Sequence, residues 1–273
     1  MPVLKKNCSA EFLDDGQYSK NGILRYERIF GHTFVSTGGL ATTQEFTKRL
    51  ALKPGMKVLD IGCGTGGSAF FLARKFGVHV LGVDLSSNML SIAEDHKLEM
   101  EPEVQERESF KKLDATKATF PDEHFDLMYS RDAIMHIAEK EKLYSNIFKW
   151  LKPGGQVLVS EYIHGKNHPN HPQEYIDYII DRGYQLLTAS DYGDVLKKVG
   201  FTDVHAEDIT GDFVEVLKKE MTKFRGMKDE FIQEFSEKDY NDLMGGWEIK
   251  VVRCNAGDQG WGLFRAVKPG NSS

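Results

Sequence analysis

The sequence predicts an α/β fold: a mostly parallel sheet with helices on both faces. Three observations point there. Strand-like and helix-like stretches alternate from residue 57 to residue 209, the pattern of chained β-α-β units. The first strand, KVLDIG (57–62), runs into a glycine-rich turn and then a helix. The second, HVLGVDL (79–85), ends around Asp84, and ligands of open α/β sheets bind at such carboxyl ends.

Each element has a local reason. GILRYERIFG (22–31) and LATTQEFTKRLA (40–51) are helical segments ahead of the core, and LKPG (52–55) turns the chain into the first strand. GGSAFFLARKFG (66–77) is a helix that Gly77 can close. SSNMLSIAEDHKLEM (86–100) is a helix with a serine at its start, where a hydroxyl can accept an unpaired amide. The acidic run EDHKLEMEPEVQERE (94–108) reads as solvated surface. FDLMYSR (125–131) is a strand, EKEKLYSNIFKWL (139–151) a helix stopped by the turn LKPGG (151–155), and QVLVSEYI (156–163) a strand. ASDYGDVLKKVGF (189–201) is a helix, TDVHAEDI (202–209) a strand and GLFRAVK (262–268) the closing strand. Residues 164–188 interrupt the alternation and are the candidate lid or substrate-binding insertion, while 211–250 read as mostly helical. The expected organisation is one domain: an N-terminal lid segment (1–50), a core (51–210) with its insertion, and C-terminal helices with the last strand (211–273).

Composition narrows the function classes. In 273 residues, 40% are hydrophobic, enough for a core and too many for a disordered chain. The net charge of −6 offers no global field for nucleic acid or anionic membrane, so a phosphorylated ligand needs a local cationic pocket. Cys8, Cys63 and Cys254 are far apart and odd in number, as in a reduced intracellular chain. No apolar run approaches ~20 residues, and the start MPVLKKNCSAEFLDD lacks the apolar stretch of a signal peptide. A cytoplasmic monomer is expected.

VLDIGCGTGG (58–67) is the strongest local signal. Its glycines let the backbone come close to a ligand. Asp84, about 20 residues on, can accept both ribose hydroxyls of an adenosine. Gly62, Gly64 and Gly67 also satisfy the dinucleotide pattern G-x-G-x-x-G, which is weak alone. Asp60 separates the two readings: it would repel a pyrophosphate, but it suits the ammonium and sulfonium of S-adenosylmethionine, directly or through water.

These segments resemble the class I methyltransferases: VLDIGCGTGG their first motif, GVDLS (82–86) their second, FDLMYSRDAIMHI (125–137) the fourth-strand motif and LKPGG the turn before strand five. The resemblance covers roughly residues 50–210. It implies a Rossmann-like, mostly parallel seven-stranded sheet. It also implies that Gly62 and Gly64 line the methionine end of S-adenosylmethionine, Asp84 and Leu85 its ribose and adenine, and Asp114 with Ala115 the adenine amino group, with Arg131 and Ser36 beside the cofactor.

A narrower resemblance spans nearly the whole chain. The segments GQYSKNGILRYERIFGHTFVSTGGLATT (16–43), YSRDAIMHI (129–137), SEYI (160–163), EYIDYIIDRGYQLL (174–187) and GGWEIKVVR (245–253) resemble the phosphoethanolamine N-methyltransferases of plants, nematodes and protozoan parasites. VSTGG departs from the family's SSGG without chemical consequence, and 245–262 matches least. This family implies methylation of phosphoethanolamine or its mono- and dimethylated forms toward phosphocholine. It implies substrate contacts from Gln17, Tyr18, Tyr26, Asp132, Tyr162, Tyr178, Arg182, Tyr184 and Lys250, and catalytic work by Tyr18, His136 and Asp132.

The chemistry agrees. Arg182 can hold a phosphate bidentately and Lys250 as a point charge. Tyrosine hydroxyls can donate to the phosphate, and their rings can face a methylated ammonium. An amine with a pKa near ~10.4 is neutral in only about one molecule in 10³ at pH 7, a penalty of roughly 4–5 kcal/mol. His136 is the candidate base; Tyr18 can orient it, relay the proton or latch a lid, and Asp132 can hold the amine. IHGKNHPNHP holds His164, His168 and His171, whose spacing fits no standard zinc pattern and which lie near no cysteine. They read as a loop, with no metal. A methyltransferase for a sterol, quinone or other amine is the alternative; a domain that has lost catalysis and a dinucleotide-dependent redox enzyme rank behind it.

Overall fold

A computed structural model of the chain describes Asp14 and residues 19–270. Its seven strands are β1 (Lys57–Ile61), β2 (His79–Asp84), β3 (Glu108–Lys112), β4 (Phe125–Arg131), β5 (Leu151–His164), β6 (Thr202–Asp208) and β7 (Gln259–Val267). They form one sheet in the order β3-β2-β1-β4-β5-β7-β6. All neighbours are parallel except β7, which runs antiparallel to both β5 and β6.

Alternate residues of the central strands feed opposite faces, as the two-residue period of a strand requires. Val58, Leu127, Tyr129 and Leu158 pack into one hydrophobic layer; Leu59, Met128, Val157 and Val159 pack into the other. Both faces are covered, so the middles of these strands are mostly apolar, with Asp60, Arg131 and Glu161 as buried exceptions. Strand order reverses between β1 and β4, and the cleft opens at their carboxyl ends.

The helices are α1 (Lys20–Phe30), α2 (Gly39–Thr47), α3 (Gly67–Phe76), α4 (Ser87–Leu98), α5 (Pro102–Gln105), α6 (Lys140–Trp150), α7 (Gln173–Arg182), α8 (Ala189–Val199), α9 (Thr210–Gly226), α10 (Lys228–Glu234) and α11 (Glu237–Ala256). The expected caps are present. Ser86 accepts Met89 N at 3.1 Å, and Gly77 closes α3 at φ 66°. The 211–250 region is a helical cap in which Phe224 packs against Phe231, Tyr240 and Trp247. This cap grips α1: Phe30 meets Trp247 edge-on at 6.0 Å, Lys223 donates to Ile29 O at 2.9 Å and Arg25 pairs with Asp239. Among the described residues, no helix is long and apolar enough to cross a membrane.

Three expectations need correction. The acidic run 94–108 is not uniformly solvated: His96, Val104 and Glu108 are buried. β3 begins inside it, and its sequence ESFKK hides the strand because an edge strand needs no continuous apolar run. LKPGG is not a free turn but the start of β5. Gly154 takes φ 78° and the register slips between Phe125 and Leu127, so extended backbone absorbs the bend. The last strand starts at Gln259 rather than residue 262.

His96 joins α4 to α1 through Glu27 at 2.8 Å. Burial alone would lower its pKa, but the Glu27 hydrogen bond and charge win and raise it. A histidine pKa raised by folding stabilises fully below the unfolded value of ~6.5 and loses that contribution as pH rises through the folded value. His96→Gln is therefore expected to lower Tm by about 5 °C at pH 6, with the gap narrowing as pH rises. Thermal unfolding at both pH extremes checks this; an equal gap at both would contradict it.

Candidate active site

Gly62 and Gly64 carry β1 into its turn at φ 75° and 55°. A Cβ on Gly62 would lie 2.2 Å from the Ala133 Cβ, so only glycine lets this turn pass the end of β4. Asp84 holds the turn from β2: it accepts Gly64 N at 2.9 Å and Ser86 N at 2.9 Å. Burial raises its pKa, against the pull of these amides.

A cavity of about 750 Å³ lies over these carboxyl ends. At one end it is lined by Ser36, Gly62, Gly64, Asp84, Leu85, Asp114, Ala115 and Arg131. At the other it is lined by Tyr26, Asp132, His136, Tyr162, Tyr178, Arg182, Tyr184 and Lys250. Every site residue expected from the sequence within the described residues lies on this one wall, except Asp60. Gln17 and Tyr18 fall outside the described residues. Asp60, on β1 just before the glycine turn, is buried, and its Oδ2 has no hydrogen-bond partner among the described residues. Burial and the charge of Asp84 push its carboxyl up to about 8, with Arg131 opposing. Asp60 is not among the cavity's lining residues, so of the two expected modes a ligand contact relayed through water fits its burial better than direct contact.

Arg131 also has structural work. Its guanidinium donates to Thr37 O at 2.6 Å, Thr43 Oγ1 at 2.8 Å and Gly39 O at 3.1 Å, which ties the start of α2 to β4. Asp132 follows with φ 52° and accepts Trp261 Nε1 at 2.9 Å. Burial raises the Asp132 pKa, while Arg131, Trp261 and Lys250 restrain it.

The acceptor end gathers distant segments. Tyr26 comes from α1, Tyr162 from β5, Tyr178 and Arg182 from α7, and Lys250 from α11. The Arg182 guanidinium lies 5.7 Å from the centre of the Tyr178 ring, and Lys250 Nζ lies 5.7 Å from that of Tyr162. Burial would lower the Lys250 pKa, but the hydroxyls of Tyr162, Tyr178 and Tyr26 outweigh it and raise it. Burial pushes Tyr162 up to about 12. The ammonium stays charged and the phenol stays a donor.

His136 ends a 3-10 turn after β4 (Ile134–His136) and meets the Tyr184 ring edge-on at 5.1 Å. Burial, then the charges of Lys140 and Arg182, push its pKa down to about 4. The imidazole is neutral at pH 7 and able to take a proton.

Four contributors escaped the sequence reading. Lys140 Nζ donates to Ile134 O (3.0 Å), Ile137 O (3.0 Å) and Gln185 O (2.8 Å), and lies 3.6 Å from the buried Glu161. One ammonium thus fixes the turn bearing His136 and the chain after Tyr184. Trp261 orients Asp132, and Glu220 accepts Gly38 N. Glu161 had a legible signal, a carboxylate inside the apolar strand VLVSEYI. Lys140→Met is expected to lower kcat about 10²-fold through misplacement of His136, with nucleoside affinity retained. Steady-state kinetics with a binding isotherm tests it; an unchanged kcat would remove Lys140 from this role.

Comparison with known proteins places the arrangement. Residues 52–200 match the model of a methyltransferase domain. Phosphoethanolamine N-methyltransferase 1 of Arabidopsis thaliana is 50% identical over 94% of this chain, which spans about half (51%) of that protein's length. The Plasmodium falciparum phosphoethanolamine N-methyltransferase is 34% identical over 96% of this chain and 97% of its own. The solved Haemonchus contortus phosphoethanolamine N-methyltransferase 2, in complex with phosphomonomethylethanolamine and S-adenosylhomocysteine, superposes with a TM-score of 0.90 at 37% identity, covering 94% of this chain and 59% of that one. The fold is that of the class I methyltransferases, and the chain belongs to the phosphoethanolamine N-methyltransferase family.

Proposed function

We propose that the chain transfers methyl groups from S-adenosylmethionine to the amine of phosphoethanolamine or its mono- and dimethylated forms, leading toward phosphocholine in phospholipid metabolism. The observation that carries this is a single cavity whose two ends differ in chemistry: a glycine turn with Asp84 at one, and Arg182 and Lys250 among four tyrosines at the other. A sterol has no use for two cations there, whereas a phosphate dianion does.

S-adenosylmethionine supplies an electrophilic methyl group on a sulfonium, and no metal is needed. Asp84 and Leu85 hold its ribose and adenine, Asp114 and Ala115 the adenine amino group, and Gly62, Gly64, Ser36 and Arg131 the methionine end. Asp60, buried and with its carboxyl raised to about 8, becomes a counter-charge as the arriving sulfonium and ammonium favour its ionised form. Arg182 and Lys250 grip the phosphate, and Tyr26, Tyr162, Tyr178 and Tyr184 complete its donors. Gln17 and Tyr18 are assigned substrate contacts on the family resemblance alone. Asp132 accepts from the amine and aims its lone pair at the methyl. His136 takes the amine's proton, with Tyr18 orienting or relaying. Alignment of amine, methyl and sulfur in line supplies much of the rate. A water-soluble donor and acceptor suit a cytoplasmic monomer that needs neither membrane nor nucleic acid.

The test is purified protein with labelled S-adenosylmethionine and acceptors bearing zero, one or two methyl groups, each alone. Label appearing in at least one product supports the proposal. Tight binding of a nicotinamide dinucleotide with no heat from S-adenosylmethionine or S-adenosylhomocysteine would overturn it.

A further inference from the structure

Three imidazoles converge outside the cleft, where β5 hands over to the insertion. His164 ends β5, His168 follows in the next turn, and His171 stands just before α7. One nitrogen of each lies within 4.8 Å of the others. His164 Nδ1 and His171 Nε2 share a hydrogen bond at 3.0 Å, and the His164 ring stacks on those of His168 and His171 at 4.1 and 5.0 Å. An ion at ~2.0–2.1 Å from each nitrogen needs ~3.3 Å between them, so binding replaces the shared proton and turns the rings out of the stack.

The other side of His171 settles its tautomer. Its Nδ1 faces Asp258 Oδ1 at 3.3 Å, and Asn167 Nδ2 donates to the same oxygen at 3.0 Å. A carboxylate only accepts, so the neutral His171 carries its proton on Nδ1, and its Nε2 accepts from His164 Nδ1, a proton that a bound ion would displace. A carboxylate behind an imidazole is the arrangement that orients histidines as metal ligands. His168 is exposed, which leaves an entry path and a position for water. A second group, Glu27, His32 and His96, differs: His96 is engaged by Glu27 at 2.8 Å and His32 by Glu99 at 2.7 Å.

We propose that His164, His168 and His171 bind one zinc-class transition-metal ion, with Asp258 orienting His171. The ion has no part in methyl transfer, and the site stands whether or not the proposed reaction is right. It fastens the insertion to the end of β5, against Asp258, which follows α11. Those elements lead into the cleft. His171 meets Tyr175 edge-on at 5.0 Å and Tyr175 stacks on Tyr178 at 6.1 Å, while α7 also carries Arg182 and α11 carries Lys250. An occupied site therefore steadies the segments that reach the phosphate pocket.

The experiment uses the untagged full chain, stripped with chelator. Zinc is titrated in competition with a chromophoric chelator, cobalt(II) is followed by visible absorption, and thermal unfolding is recorded with and without zinc. The expected result is one ion per chain, cobalt bands of tetrahedral intensity and a higher Tm with zinc. Asp258→Asn is expected to weaken binding about tenfold. His168→Ala, at an exposed position, is expected to abolish tight binding while leaving Tm in chelator unchanged, so a folded variant is available. Absence of stoichiometric binding in the native chain would overturn the proposal, as would a His168→Ala variant that binds zinc as tightly as the native chain.

Discussion

His136→Gln is expected to lower kcat by about 10²–10⁴-fold, the usual range for a general base, while the affinity for S-adenosylhomocysteine stays at the native value. The proton transfer starts uphill, and substrate binding has to lessen the mismatch. In the empty cleft the imidazole pKa is pushed down to about 4, against an amine at ~10.4; the gap corresponds to roughly 9 kcal/mol at ~1.36 per pH unit. Lys140 and Arg182 contribute to that depression. A phosphate dianion on Arg182 offsets one of the two charges, so substrate binding raises the basicity of the group that must receive the proton. The acid limb of the kcat profile, which reports the bound complex, is accordingly expected above pH 4 and absent in His136→Gln. An unchanged kcat in the variant would take His136 out of the reaction.

Arg182→Met and Lys250→Met are each expected to reduce kcat/KM for phosphoethanolamine by about 10–100-fold, mostly through KM. A hydrogen bond to a charged group contributes about 1.5–3 kcal/mol, and each 1.4 kcal/mol is tenfold. Inorganic phosphate as a competitor should lose affinity in parallel, because it shares the anion and lacks the amine. Cofactor affinity should not move, since both cations lie at the far end of the cavity from Asp84. An unaltered KM in both variants would show that the phosphate binds elsewhere.

How much of this was legible in the sequence depended on the range of the physics involved. The glycine turn, Asp84 and the strand-helix alternation declare themselves locally, because backbone geometry and burial on both sheet faces constrain nearby residues. β3 did not: ESFKK is a charged edge strand whose pairing to β2 is visible only in the sheet. The cationic end was named through resemblance and not through spacing, since Tyr26, Arg182 and Lys250 come from helices far apart in the chain. Lys140 was invisible because its role is to satisfy three carbonyls, and carbonyls leave no trace in a sequence. Asp60 is visible in the sequence as a charge in an apolar strand, but no one-dimensional pattern shows that its Oδ2 is buried without a partner among the described residues. The histidines of 164–171 were read as a loop on spacing alone; their convergence depends on how the turn folds back toward Asp258.

α1 and α11 are clasped to each other by Arg25 with Asp239 and by Phe30 with Trp247, and each sends a side chain into the same pocket. On the proposed assignment most donor contacts come from the central stretch, whereas the phosphate contacts of Tyr26, Arg182 and Lys250 come from the flanking helices and the insertion. The two can drift at different rates: changes in the periphery can retune which amine is admitted while the sulfonium-binding machinery is inherited unaltered. In a scan of random substitutions, variants at Tyr26, Arg182 and Lys250 should therefore change acceptor preference and spare the donor, and variants at Gly62, Gly64 and Asp84 should lose the donor.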